Sequence, residues 1–448
     1  MELPIYSKLE AHYRKNRTSF AMPGHKNLRG LAPDLQKCDV TELASTVDLH
    51  HESDEVKRAN ELLAELYRSK QSFILTCGST AGVQVMLSSV LKPGDTVLAS
   101  ADCHMSVINT CAVCGFRMKI MPVRYDEDYL IPTRNEDIEL TPDIKAVIVT
   151  SPNYYGIVKN IQYLAKTCHD AGIPLLVDEA HGAHFIGSDA FPESATELGA
   201  DMVCQSAHKT LNALTGAAYL HICSDRISID RVRHSIAAFE TSSPSYPIAA
   251  SADIARAQLA KRQYMDITDE CSRFREAIAR ASDIRVFDND DITRIVLNFS
   301  EYEITGFKVS EMLSEHFGID VEMADYLNIV LIATPWNKHS DFMALFSALR
   351  DITDIVPKRT EKPVLKLPPA RAGIISPADG WYGDTERIAL DEAQNRISAD
   401  VITAYPPGTA IVITGEKITR EQIEYIKLLE ASGAALTGVQ NSRIEVVK

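Results

Sequence analysis

The chain has 448 residues, 45% hydrophobic and 24% charged, long enough for two or three domains of roughly 150 residues each and typical of a globular protein. Collagen-like, low-complexity and wholly disordered readings are excluded. Its 46 Lys and Arg against 61 Asp and Glu leave a net charge of −15, which repels phosphate backbones and anionic lipid and argues against nucleic-acid or membrane binding.

No apolar run approaches the ~18 residues of a membrane span. The start, Met1-Glu2-Leu3-Pro4-Ile5-Tyr6-Ser7-Lys8-Leu9-Glu10, lacks the basic and apolar regions of a signal peptide, so a cytoplasmic protein is expected. Nine cysteines are scattered along the chain, and Cys77, Cys204 and Cys223 sit in apolar runs, as buried reduced thiols do. No disulfides are expected.

In chain order, residues 1–50 form an N-terminal segment and 51–285 a large α/β domain. Within it the apolar runs Thr96–Ser100, Lys145–Thr150, Pro174–Asp178 and Asp201–Gln205 read as strands of a mostly parallel sheet covered on both faces. Apolar residues at helical spacing with a terminal Gly predict a helix over Asn160–Gly172, and the pattern is helical from about Ser245 to Ala281. Residues 286–356 read as a smaller α/β domain, with a strand at Thr293–Phe299 and helices near Lys308–His316 and Ser340–Ile352. Pro357, Pro363, Pro368, Pro369 and Pro377, interleaved with basic residues, mark 357–379 as a linker holding neither helix nor central strand. Residues 380–448 form a C-terminal domain.

The chemistry concentrates at strand ends. Lys209, in Gln205-Ser206-Ala207-His208-Lys209-Thr210, follows an apolar strand; an amine there, with its pKa lowered by desolvation and by His208, is a candidate imine former. Its bland reading is a solvated lysine. Asp178 ends an earlier strand, 31 residues upstream and about one crossover away, where open α/β sheets bind ligands; its bland reading is a helix cap. Together the two are the pair pyridoxal phosphate requires, a lysine for the Schiff base and a carboxylate to keep the pyridine nitrogen protonated. Thr76-Cys77-Gly78-Ser79-Thr80-Ala81-Gly82, before the apolar helix Val83–Leu91, offers hydroxyls and N–H groups that cradle phosphate, or an ordinary cap. His104, after the strand ending at Ser100, is a flat ring able to stack on a flat cofactor, or a loop histidine.

Gly78-Ser79-Thr80, His104, Asp178-x-Ala180-His181 and Ser206-x-His208-Lys209, in this order, resemble the aspartate-aminotransferase-type (fold type I) pyridoxal-phosphate enzymes. More narrowly the chain resembles the bacterial ornithine/lysine/arginine decarboxylase family in its short form, without an N-terminal wing domain. Supporting matches are Ala21-Met22-Pro23-Gly24-His25-Lys26, Asp48-Leu49-His50, Ser151-Pro152-x-Tyr154-Tyr155-Gly156, Thr241-Ser242-Ser243-Pro244-Ser245-Tyr246, Tyr405-Pro406-Pro407-Gly408 and Gly415-Glu416, spanning about residues 20 to 430.

The resemblance implies a fold type I large domain with a mixed, mostly parallel sheet and smaller α/β C-terminal domains. It implies Lys209 as the internal aldimine, Asp178 at the pyridine nitrogen, His104 stacked over the ring, Ala180 on the opposite face, and His181 near the ring hydroxyl or the substrate carboxylate. Gly78, Ser79, Thr80, Ser206 and His208 would hold the phosphate, with Ser242 or Ser243 reaching in from a second subunit of a homodimer or higher homo-oligomer with shared sites. The implied reaction is decarboxylation of arginine, lysine or ornithine to a polyamine precursor and CO2, with Lys209 or His208 reprotonating Cα.

Another fold type I reaction, with Arg371 or Arg387 holding an α-carboxylate, and a catalytically silent regulatory homologue are the alternatives. Asn153, Asn212, Gly216 and Ile413-Thr414 depart from the family pattern and leave the amino acid substrate open. Cys111-Ala112-Val113-Cys114 and His50-His51-Glu52 read as packing and structural residues, and no metal is expected.

Overall fold

The apolar runs of the first half become one seven-stranded sheet. The computed structural model describes residues 18–20, 47–134, 136–261, 264–361, 365, 367–368, 373–404 and 408–448. In chain order the large sheet comprises β1 (Gln71–Leu75), β2 (Thr96–Ser100), β3 (Arg117–Met121), β4 (Ile144–Thr150), β5 (Leu175–Asp178), β6 (Met202–Gln205) and β7 (Ala218–Ile222), arranged β1-β7-β6-β5-β4-β2-β3. β7 runs antiparallel to both neighbours, whereas β6, β5, β4, β2 and β3 are mutually parallel.

Every residue of β2, β5, β6 and β7 is buried, because helices cover both faces. Ile148, Leu176, Met202 and Cys204 pack with Val83, Met86 and Leu87 of α2 (Gly78–Val90), which follows α1 (Asp54–Tyr67). Val147, Val149, Leu175 and Val177 point the other way, against Ile161, Leu164 and Cys168 of the helix Ile161–Asp170. The alternation of neighbours between two cores follows from the two-residue period of a strand. α3 (Met105–Cys114) covers the first face beside α2.

The second half contributes an antiparallel sheet of Met323–Ala324, Asn328–Ile332, Arg294–Asn298 and Arg285–Val286. Its helices, Gly306–His316 and His339–Ile355, extend slightly beyond the sequence expectation; Thr305 caps the first by accepting from the Lys308 amide. Ile267, Phe274 and Ile278 of the helix Met265–Ala281 share a core with Ile295, Leu331, Phe342 and Leu349.

The last part has its own core of Ile388, Ile402, Val412, Ile418, Ile426, Leu429, Ile444 and Val446. Val401, Ala410 and Ile413 nevertheless pack into the α2/α3 core of the large sheet. One expectation fails: the proline-rich stretch 357–379 does contain the start of a helix, Pro377–Tyr382. Pro377 occupies its first turn, where no N–H is needed, and Ser376 caps it by accepting from the Asp379 amide. The motifs Ala21–Lys26 and Tyr405-Pro406-Pro407, and Arg371, lie outside the described residues.

Candidate active site

The carboxyl ends of the strands open into one cavity of about 390 Å³. Gly78, Ser79 and Thr80 reach it from the end of β1, Asp102 and His104 from β2, Thr150 from β4, Asp178 and Ala180 from β5, and Ser206, His208 and Lys209 from β6. These groups converge because strands distant in sequence are neighbours in the sheet, and Thr150 and Asp178 are direct register partners.

One corner of the cavity is built from the start of α2. Gly78 adopts φ +78, a left-handed conformation open to glycine, and donates its N–H to the Gly216 carbonyl at 2.8 Å. The next residue, Ser79, accepts from the Ser206 hydroxyl at 2.7 Å. A helix N-terminus flanked by two hydroxyls is suited to an anion. Just outside it, Glu240 accepts from the Thr76 and Cys77 amides at 3.2 and 3.1 Å and from the Thr76 hydroxyl at 2.8 Å.

Asp178 is buried, and one carboxylate oxygen accepts from the Ala180 amide at 3.1 Å. Burial raises its pKa, against the pull of Lys209. Burial holds the Lys209 amine below the ordinary lysine value, against the opposing pull of Asp178 and Glu322. His104 caps α3: its Nδ1 accepts from the Ser106 amide at 3.1 Å. Its backbone forms an antiparallel bridge with Thr409, and the Met105 amide donates to the Gly408 carbonyl at 3.0 Å. Burial, then Lys209, brings the His104 pKa down to about 4. His208 donates from Nδ1 to the Ala217 carbonyl at 3.0 Å, and burial likewise brings it down to about 4. Neutral, it presents Nε2 as an acceptor, so contact with a phosphate oxygen requires a proton recruited by the anion itself.

Three groups that the motifs did not point to complete the site. Glu322, buried beside the strand Met323–Ala324, lines the cavity and accepts from the Tyr154 hydroxyl. Arg294 is fully buried and reaches His181 Nδ1 with Nη2 at 2.9 Å, while His181 Nε2 lies 3.0 Å from Lys209 Nζ. Thr409 brings the C-terminal part to the rim. Ser242 and Ser243 are not brought to this cavity; both are exposed on the loop after the helix Ile229–Phe239, where the Thr241 carbonyl is 2.8 Å from His50 Nε2. Among the described residues no cluster of His, Cys, Asp or Glu is placed to hold a metal ion.

The residues present fit pyridoxal phosphate: an amine of lowered pKa, a buried carboxylate for a protonated ring nitrogen, a flat histidine, and a hydroxyl-lined helix N-terminus for the phosphate.

Comparison with known proteins agrees in kind. Residues 3–298 match the family model described as Orn/Lys/Arg decarboxylase, major domain, and residues 369–444 match that family's C-terminal domain. An uncharacterized protein of Bacillus subtilis, YaaO, is 34% identical over 96% of this chain and 94% of its own. The arginine decarboxylase of the same organism is 30% identical over 100% and 97%. The lysine decarboxylase LdcF of Francisella novicida has a similar fold, with a TM-score of 0.79 at 18% identity over 93% of this chain and 75% of that one.

Proposed function

The chain belongs to the Orn/Lys/Arg decarboxylase family and is an amino acid decarboxylase of pyridoxal-phosphate fold type I, and from that premise we propose that it decarboxylates a basic amino acid with Lys209 as the cofactor lysine. The observation that carries this reading is the convergence of Lys209, Asp178, His104 and the Ser79/Ser206 pair on one cavity. Whole-length similarity to the Bacillus subtilis arginine decarboxylase favours arginine among the three substrates; the products are then CO2 and the corresponding amine, a polyamine precursor.

Pyridoxal phosphate, when bound, supplies the electron sink for the pair left on Cα as CO2 departs. The chain's own residues do the rest. Ser79, Thr80, Ser206 and the N-terminus of α2 hold the phosphate. Asp178 would face the ring nitrogen and favour its protonated form, and its burial would strengthen that pairing because water does not compete. Lys209, its pKa held below the ordinary lysine value by burial, would be the more readily available amine to carry the cofactor. His104 is fixed by its cap and by the Thr409 bridge, so its ring is a rigid wall against which the scissile bond is oriented.

Glu322 places a buried carboxylate in the cavity, a partner for the distal cation of a basic substrate. One proton then returns to Cα, with Lys209 and His208 the cavity-lining candidates to deliver it. In this reading Ser242 and Ser243 enter the cavity of a second copy, in a homodimer or higher oligomer. A cytoplasmic setting is part of this reading; separately, among the described residues no helix is long and apolar enough to cross a membrane.

The test is mass spectrometry of products after the protein, supplied with pyridoxal phosphate, meets an equimolar mixture of arginine, lysine and ornithine. Agmatine, cadaverine or putrescine is the expected product. Pyridoxamine phosphate without amine would place the reaction among the aminotransferases, and no turnover would favour a silent homologue.

A further inference from the structure

His181 stands between two basic side chains from different parts of the fold. Arg294 comes from the strand Arg294–Asn298 and approaches Nδ1 at 2.9 Å; Lys209 follows β6 and approaches Nε2 at 3.0 Å. A guanidinium has only N–H donors, so the Nδ1 it meets must carry a lone pair. A neutral imidazole with a lone pair on Nδ1 carries its hydrogen on Nε2. That hydrogen points at Lys209, and Lys209 Nζ is then the acceptor, which only the uncharged amine can be. If the ammonium donated instead, the ring would accept at both nitrogens and would have to be an anion.

We propose that Arg294 is a positioning residue that locks His181 as the Nε2–H tautomer, so that His181 donates a hydrogen bond to Lys209 and cannot act as a base. The arrangement is built to hold. Arg294 is 0% exposed, and a Cβ added at Gly156 would lie 2.8 Å from the Arg294 Cβ, so the neighbouring turn leaves room for this one side chain. The His181 ring is fixed edge-on against Tyr154, with centroids 4.6 Å apart.

Burial, with the Arg294 guanidinium beside the ring, holds His181 well below its ordinary pKa, as a neutral ring requires. On Lys209, burial and Arg294 favour the free amine while Asp178 and Glu322 pull toward the ammonium, burial being the larger effect; Glu322 is also engaged by Tyr154. The consequence for the reaction rests on Lys209 being the cofactor lysine; the tautomer does not.

The experiment is a long-range ¹H–¹⁵N spectrum of the cofactor-free protein labelled at histidine nitrogen, with His181 identified by the signals lost in His181→Gln. In the wild type His181 is expected to show a bare Nδ1 and a protonated Nε2, unchanged over the range of pH ~5–8 in which ordinary histidines titrate. Arg294→Met is expected to release Nδ1, giving a mixed tautomer or a titrating ring, and Arg294→Lys to restore the wild-type pattern. Independently, the rate at which added pyridoxal phosphate attaches to Lys209 should have its rising pH limb moved to higher pH in Arg294→Met and returned by Arg294→Lys.

An Nδ1–H or imidazolium signal in the wild type overturns the proposal, and so does an Arg294→Met protein with both readouts unchanged. If Arg294→Met does not fold, the wild-type spectrum alone decides. Borohydride reduction followed by peptide mass mapping separates the underlying reading: label on a residue other than Lys209 would sink that reading while leaving the tautomer standing.

Discussion

Lys159 Nζ lies 3.1 Å from Asp102 Oδ2, and both side chains are almost wholly buried. Asp102 follows β2 and lines the active-site cavity; its Oδ1 has no hydrogen-bond partner among the described residues. Two charges removed from water are tolerable only because they face each other, so losing one strands the other. Lys159→Met should therefore destabilise the protein by about 3–5 kcal/mol, read as a fall in the urea midpoint. Adding Asp102→Asn to that variant should recover part of the loss; purely additive losses would show that the two are not coupled.

Lys209→Ala should abolish both turnover and the visible absorbance of bound cofactor. Asp178→Ala should keep the fold, checked by circular dichroism, while the rate falls by several orders of magnitude. Normal turnover by Lys209→Ala would remove Lys209 from the mechanism.

Glu322→Gln keeps the shape of the Tyr154 contact and removes the charge. Loss of a charged hydrogen bond of ~1.5–3 kcal/mol corresponds to about a 10- to 100-fold fall in kcat/KM for the basic substrate. Tyr154→Phe, which removes only the orienting hydroxyl, should cost less. Equal kinetics for Glu322→Gln and the wild type would mean that the distal cation is held elsewhere.

The stability of the cofactor-free protein should fall as it is acidified. His104 and His208 titrate at about 4 and His221 at about 3, all depressed from 6.5 by burial. The unfolded chain therefore binds protons on these rings that the folded chain refuses; their contribution is full above pH 6.5 and is lost as the pH falls toward 4. Glu179 works in the opposite sense. Burial raises it to about 7 although Ala195, Gln205 and Ser194 donate to it, so its contribution is present below about 4.5 and lost as the pH rises through 7. His181, held low by burial, adds to the three histidines and Asp178, raised by burial, adds to Glu179; the histidines outnumber the carboxyls, and urea midpoints measured between pH 6.5 and 4 should decrease toward the acid end. A flat or rising profile would contradict the burial of these histidines.

The parts of the site that could be read from sequence are those carried on contiguous motifs of the large sheet. Lys209 and Asp178 each sit where an apolar strand ends and Ser79 where an apolar helix begins, and those local signals are enough to single them out. Arg294 and Glu322 come from a different sheet and meet the cavity only through tertiary packing. Arg294 did leave a trace, a charged residue inside Ile292-Thr293-Arg294-Ile295-Val296-Leu297, where a buried partner is the physical explanation. Glu322 left none that its neighbours Val321 and Met323 would distinguish from a surface position. Pro377 misled because proline breaks helix interiors but suits their first turn. Ser242 and Ser243 are expected at a site on the resemblance alone, and here they are exposed outside this cavity.

The Ser79–Ser206 hydroxyl pair joins residues 127 positions apart, and Arg294 meets His181 across 113. Contacts of such long range form late in a folding chain, because loop closure must precede them. A refolding molecule with native helices but an unfinished sheet thus has no seat for the phosphate. Capture of pyridoxal phosphate during dilution from denaturant should lag behind the recovery of helical signal, which makes the cofactor a clock for the last steps of assembly.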